Sequence, residues 1–218
     1  MEKFEQEKER EIYYAKIDFF TNVAHEIRTP LTLINGPLEN ILLKKTVDPE
    51  IREDLNIMKQ NTERLLSLTN QLLDFRKTES QGFRLNFAEC NVTEVLKETY
   101  NRFTSLARQR ELDFVLNVAE QDFYAHVNKE AFTKIVSNLL NNAVKYAETY
   151  VHVFLEMNGI GEKRMFYIRT VNDGVIIPNE MKEEIFKPFV RFNEKEDGKV
   201  TTGTGIGLAL SRSLAELH

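Results

Sequence analysis

Apolar residues in the first third of the chain recur at alternating steps of three and four residues. The pattern runs without a break from Tyr13 to Ile41, and this spacing predicts a long helix with a coiled-coil seam. Asp48 and Pro49 predict the start of a second helix, as its N-cap and first helical residue. The inward-facing stripe of that helix is expected at Ile51, Leu55, Met58, Thr62, Leu65, Leu72 and Phe75.

Residues 2–78 therefore predict a helical hairpin, with residues 1–18 as a charged linker helix continuous with it. A single hairpin cannot bury both seams, so we expect a homodimer in which two hairpins form a four-helix bundle. The charged run after Met1 predicts that the first helix is part of a longer one.

From residue 83 to residue 218 the pattern changes to short alternating segments separated by helices. Together with the hairpin, this predicts a multi-domain chain whose second part is an α+β two-layer sandwich. We expect strands at 83–87, 112–118, 123–127, 150–157 and 164–171, and helices at 91–110, 128–147, 181–187 and from 205 onward.

Composition narrows the functional classes. The net charge of −5 gives no basic surface for nucleic acid. The sequence contains no apolar run of about 20 residues, so we expect this segment to make no membrane contact. The single cysteine, Cys90, excludes an internal disulfide and fits a reducing compartment.

His25 is the first candidate for chemistry. It lies one residue after the seam position Ala24, and a rotation of about 100° turns it away from the core. Glu26 is its neighbour, Thr29 lies one turn further along, and Pro30 predicts a local bend. A carboxylate can take the proton from an imidazole while the ring attacks phosphorus. The spacing alone is more typical of an exposed histidine without a function.

The segment FFTNVAHEIRTPLTLI resembles, over its whole length, the phosphoacceptor motif of histidine kinases. This resemblance implies that His25 is the phosphoacceptor and Glu26 the general base. It implies that Thr29 acts with the acid in a phosphatase reaction on the partner response regulator. Arg28 and Pro30 also match the motif.

A second cluster lies on the helix predicted after Asn128. Its polar face carries Asn138, Asn141, Asn142 and Lys145, which is either a solvated surface or an array for a hard cation and phosphate. Gly203, Thr204, Gly205 and Gly207 open the last helix, where backbone N–H groups can approach phosphate.

NLLNNAVKYA, IFKPFVRF and GTGIGLAL are similar to the ATP-binding domain shared by histidine kinases, Hsp90, gyrase B and MutL. The resemblance implies ATP and Mg²⁺ as cofactors. It implies that Asn142, with Asn138, faces Mg²⁺ and the phosphates, that Lys145 binds phosphate, and that Tyr146 packs near the base. It also places Gly203, Thr204, Gly205 and Gly207 at the phosphates and the hinge of a lid.

The first glycine motif departs from the family pattern. Aligned on Ile177-Pro178, Asn172 occupies the position of the acid that binds the adenine amino group, Gly174 matches, and Ile176 replaces a glycine. Shifting the register would give the role to Asp173 but would lose the match at Gly174. An uncharged acceptor weakens this bond by about 1 kcal/mol, so we expect weaker nucleotide binding. The family continues beyond SLAELH with a strand pair, so we expect the ATP-binding domain to be incomplete at its C-terminus.

The predicted function is ATP-dependent autophosphorylation of His25, followed by transfer to a receiver aspartate. The wording of the motifs resembles the hybrid sensors of saccharolytic gut bacteria. That resemblance implies the cytoplasmic domain of an inner-membrane sensor, with a receiver domain fused after His218. The alternative is a dimeric scaffold that relays conformation without catalysis. A gyrase-type or Hsp90-type ATPase leaves the motif around His25 unexplained.

Overall fold

A computed structural model describes residues 2–44, 48–80, 83–158, 165–192 and 205–218. The chain divides into two compact units, Met1–Phe83 and Arg84–His218. Within the described ranges, no helix combines the length and apolar character that crossing a bilayer requires.

The first unit consists of two helices, α1 (Glu2–Leu42) and α2 (Pro49–Glu79). Its helix α1 continues through Pro30 and Pro37. The predicted second helix start is confirmed, because the Asp48 carboxylate accepts a hydrogen bond from the Glu50 N–H at 2.9 Å. Arg52 of α2 donates to the carbonyls of Leu42 and Lys44, at 2.9 and 2.8 Å. Side chains therefore pair with backbone groups at the end of α1 and at the start of α2.

The single seam predicted on α1 is in fact two stripes. One stripe is buried within the hairpin and consists of Ile17, Ala24, Leu31 and Leu38. The other stripe is exposed, at Ile27, Ile34 and Ile41. The two sets are the alternate positions of a heptad pattern, and in a bundle each set faces a different neighbouring helix.

Helix α2 shows the same division. Thr62, Leu72 and Phe75 of the predicted stripe are buried, whereas Ile51, Met58 and Leu65 are exposed and seven residues apart. Each helix of the hairpin therefore has an exposed apolar row in addition to its packed one. The two exposed rows together form the outer stripe, which consists of Ile27, Ile34 and Ile41 of α1 and Ile51, Met58 and Leu65 of α2.

The second unit alternates strands and helices. Its elements are β1 (Ala88–Asn91), α3 (Val92–Gln109), β2 (Asp113–Asn117), β3 (Tyr124–Val127), α4 (Lys129–Tyr146), β4 (Tyr150–Asn158), β5 (Met165–Asn172) and α5 (Gly207–Leu217). Strands β1 and β3 form an antiparallel pair. In the other sheet β4 lies between parallel β2 and antiparallel β5. Asn91 and Asn128 cap α3 and α4 through their side chains, as predicted.

Two predicted elements differ from the structure. Residues 83–87 form no strand, and pairing begins at Ala88 opposite Val127. Alternation alone does not make a strand without a partner at the right register. The helix expected at 181–187 is two short 3-10 turns, Asn179–Met181 and Glu184–Phe186.

The core of the second unit lies between α3, α4 and one face of the three-stranded sheet. Alternate residues of β4, Val151, Val153 and Leu155, are buried, while His152 and Phe154 are half-exposed on the other face. Val136 and Leu140 of α4 contribute to the same core. This arrangement confirms the predicted α+β two-layer sandwich.

The connection between α4 and β4 is held by two charged side chains. Arg110 donates hydrogen bonds to the carbonyls of Val144 and Ala147. Asp173 accepts from the N–H groups of Glu148, Thr149 and Tyr150, at 2.9 to 3.2 Å, and from the Thr149 hydroxyl. That hydroxyl, together with the backbone donors, holds the pKa of Asp173 well below its usual range. The carbonyls of Val144 and Ala147 and the amides of residues 148–150 are therefore paired.

We expect Asp173→Asn to speed amide exchange at Thr149 and Tyr150 at pH 7, because a neutral amide is a weaker acceptor than a carboxylate. The carboxylate of Asp173 stabilises the fold fully above a pH of about 4, which is the pKa of an aspartate in an unfolded chain. This stabilisation is lost as the pH falls through the lower pKa of Asp173 in the folded chain. The excess exchange in the variant should therefore shrink as pH is lowered from 7 towards 3. Protection factors measured by hydrogen exchange across this range check the prediction, with Glu120→Gln as a control that removes an exposed carboxylate. Equal protection in Asp173→Asn and wild type at pH 7 would contradict it.

Candidate functional site

His25 lies on the exposed side of α1, directly after the buried Ala24. Glu26 and Thr29 are exposed on the same helix. Within the described residues the His25 ring has no hydrogen-bond partner, so its nitrogens are accessible to an incoming group. Consecutive helical positions diverge by about 100°, and Glu26 makes no bond to His25 here. Glu26 must therefore turn toward the ring in order to take its proton.

Asn138 connects α4 to α5. Its side-chain N–H₂ group donates to the carbonyl of Gly207 and to the hydroxyl of Ser211, both at 3.1 Å. The backbone of Gly207 also lies close to the Asn138 side chain. A Cβ added to Gly207 would be 3.6 Å from the Asn138 Oδ1. The amide nitrogen is therefore committed to α5, and only Oδ1 remains for a ligand.

Asn142 lies one turn beyond Asn138 on α4 and is half-buried. Among the described residues its side chain has no hydrogen-bond partner. Lys145 donates to the Tyr146 hydroxyl at 2.8 Å, and its Nζ lies 4.4 Å from the centre of that ring. The described residues contain no group of three or more His, Cys, Asp and Glu side chains that could hold a metal ion. A hard cation here would depend on amide oxygens, which Asn142 can supply.

The end of β5 packs against the end of α4. A Cβ on Gly174 would lie 1.9 Å from the Tyr146 carbonyl oxygen and 2.9 Å from the Asn172 side-chain nitrogen. No side chain fits there, so glycine permits this close approach. Asn172 is half-buried beside it, and Ile176 is 87 % exposed.

The bonds of Asp173 bear on the choice of register in this motif. Both of its carboxylate oxygens already accept hydrogen bonds from residues 148–150. Asp173 therefore has a structural role at the start of β4. This favours the register in which Asn172 faces the nucleotide base.

The start of α5 is joined to the segment that follows the 3-10 turns. The Phe189 N–H donates to the Gly205 carbonyl at 2.9 Å, and both residues have positive φ, 67° and 70°. Arg212 of α5 donates to Glu183 at 2.8 Å and lies 5.4 Å from the Phe186 ring centre. Gly203 and Thr204, also predicted at this site, lie outside the described residues.

The structure thus brings the predicted nucleotide residues together around α4. Asn138 contacts Gly207, and the Tyr146 carbonyl and the Asn172 side chain both lie beside Gly174. Sequence reasoning missed Ser211 and Arg110, which position α4 from α5 and from the end of α3. A lone serine or arginine in a helical pattern has no signal that distinguishes it from a surface residue.

Two family models match the chain. Residues 15–81 match the His Kinase A (phospho-acceptor) domain. Residues 127–218 match the histidine kinase-, DNA gyrase B-, and HSP90-like ATPase. His25 lies in the first match, and Asn138, Asn142, Asn172 and Gly207 lie in the second.

Individual proteins give the same result. A relative named Histidine kinase P4, from Formosa agariphila, is 33 % identical over 220 residues, which is 100 % of this chain and 16 % of the relative. The solved structure of full-length ShkA in complex with AMPPNP aligns with a TM-score of 0.72 over 92 % of this chain and 41 % of that one, at 23 % identity, and supports the fold. Histidine kinase ThkA in complex with response regulator protein TrrA aligns with a TM-score of 0.52 over 87 % of this chain and 55 % of that one, at 27 % identity.

The chain spans about a sixth of the length of its relative from Formosa agariphila. The two matched domains nevertheless follow each other in the order of a kinase core, and each coincides with a group of candidate residues described above. The chain therefore belongs to the histidine kinases and contains the core of a sensor histidine kinase.

Proposed function

We propose that this chain transfers the γ-phosphoryl group of ATP to His25. The observation that carries the proposal is an exposed histidine beside an exposed glutamate, on a helix within the matched phospho-acceptor domain. The acceptor imidazole is held on a regular helix, and the nucleotide residues are on a separate unit.

In the proposed reaction a ring nitrogen of His25 attacks the γ-phosphorus of ATP. A nitrogen–phosphorus bond forms, the bond from the bridging oxygen to the γ-phosphorus breaks, and ADP leaves. The ring loses a proton, which Glu26 accepts as general base. A neutral imidazole is a competent nucleophile near neutral pH.

The second unit would bind the nucleotide around α4. Asn172 would accept a hydrogen bond from the base, Tyr146 would pack beside it, and Lys145 would leave the Tyr146 hydroxyl to meet phosphate. The N-terminus of α5, with Gly205 and Gly207, would supply N–H groups to the phosphates. Gly203 and Thr204 are proposed for the same contact.

Asn142, with the Oδ1 of Asn138, would hold Mg²⁺. The fit rests on the amide of Asn142 and on the Oδ1 of Asn138, neither of which has a hydrogen-bond partner in the described part of the chain. Bound Mg²⁺ would neutralise the charge on the transferring phosphoryl group.

The partners are proposed from the same features. A second copy would cover the outer stripe and complete a four-helix bundle. A response-regulator receiver would take the phosphoryl group from His25, as the complex of ThkA with TrrA suggests by its composition. Thr29, with Glu26, would position water for the phosphatase reaction, in which the phosphoryl group leaves the receiver aspartate as inorganic phosphate. We further propose that the receiver is fused to the full-length protein and that this segment is the cytoplasmic part of an inner-membrane sensor.

Incubation with γ-labelled ATP and Mg²⁺ tests the kinase proposal. We expect label that is stable to base and lost in acid, that disappears in His25→Gln and falls strongly in Glu26→Gln. His126→Gln, which removes another exposed histidine, should label like wild type. Label that persists in His25→Gln would refute the assignment of the acceptor, and a wild-type chain that binds ATP without labelling would refute the kinase activity.

Asn172→Asp should tighten ATP binding about fivefold, since a charged acceptor adds about 1 kcal/mol to the bond with the adenine amino group. Isothermal titration with ATP measures the change. Asn101→Asp, the same substitution at an exposed position of α3 away from the candidate site, is the control. Unchanged affinity in Asn172→Asp would show that Asn172 does not contact the base.

Charge within the outer stripe should prevent dimerisation, because a buried unpaired carboxylate is strongly disfavoured. We expect Ile34→Glu and Met58→Glu to lower the mass in solution from twice the chain mass to the single-chain value of 25.5 kDa. Met157→Glu places the same charge on an exposed apolar residue of the second unit and should remain dimeric. Light scattering coupled to size-exclusion chromatography distinguishes the outcomes, and a dimeric Ile34→Glu variant would locate the interface elsewhere.

A further inference from the structure

Arg28 occupies an unusual position for a charged residue. It lies four residues after Ala24 and three before Leu31, in the row of α1 that packs on α2. Its side chain is half-buried, and Nη2 donates to Oδ1 of Asn70 on α2 at 2.6 Å. A cation is therefore held between the two helices of the hairpin, one turn after His25.

The guanidinium group of Arg28 is only partly satisfied. Its Nε is buried and has no hydrogen-bond partner among the described residues. The N–H groups of Nε and Nη2 point in the same direction and form the fork that binds two oxygens of a carboxylate or phosphate. The single neutral oxygen of Asn70 fills one half of that fork.

The direction of helical side chains places this fork toward His25. Side chains on a helix lean toward its N-terminus, so Arg28 extends over the turn that contains Ala24 and His25. Residues three apart are neighbours on the helix surface. A phosphoryl group on a side chain adds a charge of about −1.5 to −2 near neutral pH and three acceptor oxygens. Phosphorylation of His25 would thus create the missing type of acceptor within reach of Arg28.

We infer that Arg28 exchanges its bond to Asn70 for the phosphoryl group on His25. This inference rests on the proposed acceptor role of His25 and extends it. Two phosphoryl oxygens fill the Nε and Nη2 fork, and Asn70 loses its interhelical partner. Phosphorylation thereby changes the packing of α1 on α2 through one side chain.

The titration of the phosphoryl group measures this contact directly. Phosphoramidate transfers its phosphoryl group to an imidazole nitrogen and releases ammonia, so it loads His25 without ATP. The phosphorus resonance that is absent in His25→Gln identifies the product, and its shift is followed between pH 5 and 9 in the whole chain. Glu26 follows His25 on α1, and Asp74 lies one turn after Asn70 on α2, 4.0 Å from Lys77. Both acids are unchanged in every variant.

A cation beside the phosphoryl group favours its dianion, so Arg28→Gln should raise the titration midpoint by about one pH unit. Arg28→Lys should give an intermediate value, because it keeps the charge and loses the fork. Asn70→Ala should keep the midpoint at or below that of wild type, since it releases Arg28 from its present partner. Arg64→Gln, which removes an exposed arginine of α2, should have no effect. Helix melting followed by circular dichroism verifies that each variant is folded.

An unchanged midpoint in folded, loaded Arg28→Gln would overturn this role of Arg28, as would an equal shift in Arg64→Gln. Neither result would affect the proposed kinase activity. Conversely, loading by phosphoramidate without labelling by ATP would refute the kinase proposal and leave the titration valid. In a chain that ATP labels but phosphoramidate does not, the same titration is made on the ATP-loaded chain, and an unchanged midpoint in Arg28→Gln overturns the inference there as well.

Discussion

The close approach between the end of β5 and the end of α4 is the contact on which the nucleotide-binding unit depends. Gly174 lies where any side chain would collide with the Tyr146 carbonyl, so only glycine fits at this position. Arg110 and Asp173 then pair the backbone groups at the connection between α4 and β4. Asn138, in the middle of α4, is hydrogen-bonded to α5. Helix α4 is therefore held both at its middle and at its end. The polar face of α4, which carries Asn138 and Asn142, is thereby held in a defined position relative to α5 and to the end of β5.

Asn172 and Asp173, two neighbouring residues of the first glycine motif, differ in the groups that they contact. A carboxylate at Asp173 is surrounded by N–H donors at the start of β4, where it completes the backbone pairing of a strand. The adjacent Asn172 lies at the end of β5 opposite Val151 and beside Gly174. Asp173, the first residue after β5, therefore serves the fold, whereas Asn172, the last residue of β5, takes no part in these bonds.

Much of the fold follows from the sequence because the relevant signals are local. The caps at Asp48, Asn91 and Asn128, and the periodicity of α4, depend on residues within a few positions of each other. The strand expected at 83–87 failed because pairing is decided by a distant partner, here β3. The two stripes of α1 could not be separated in advance, since alternating steps of three and four describe both together. The bonds of Asn138 to α5 and of Arg28 to Asn70 join residues far apart in sequence, and no local pattern specifies them.

The outer stripe also has a thermodynamic consequence for the hairpin. Each helix leaves a row of large apolar side chains uncovered, while the packed row between α1 and α2 includes polar residues such as Thr62, Thr69 and Arg28. A hairpin of this kind buries little apolar area by itself, and small cores supply little free energy of unfolding. If a second copy covers the outer stripe, folding and association become one equilibrium governed by mass action. The melting temperature of the helical unit would then rise with protein concentration, and dilution alone would unfold it.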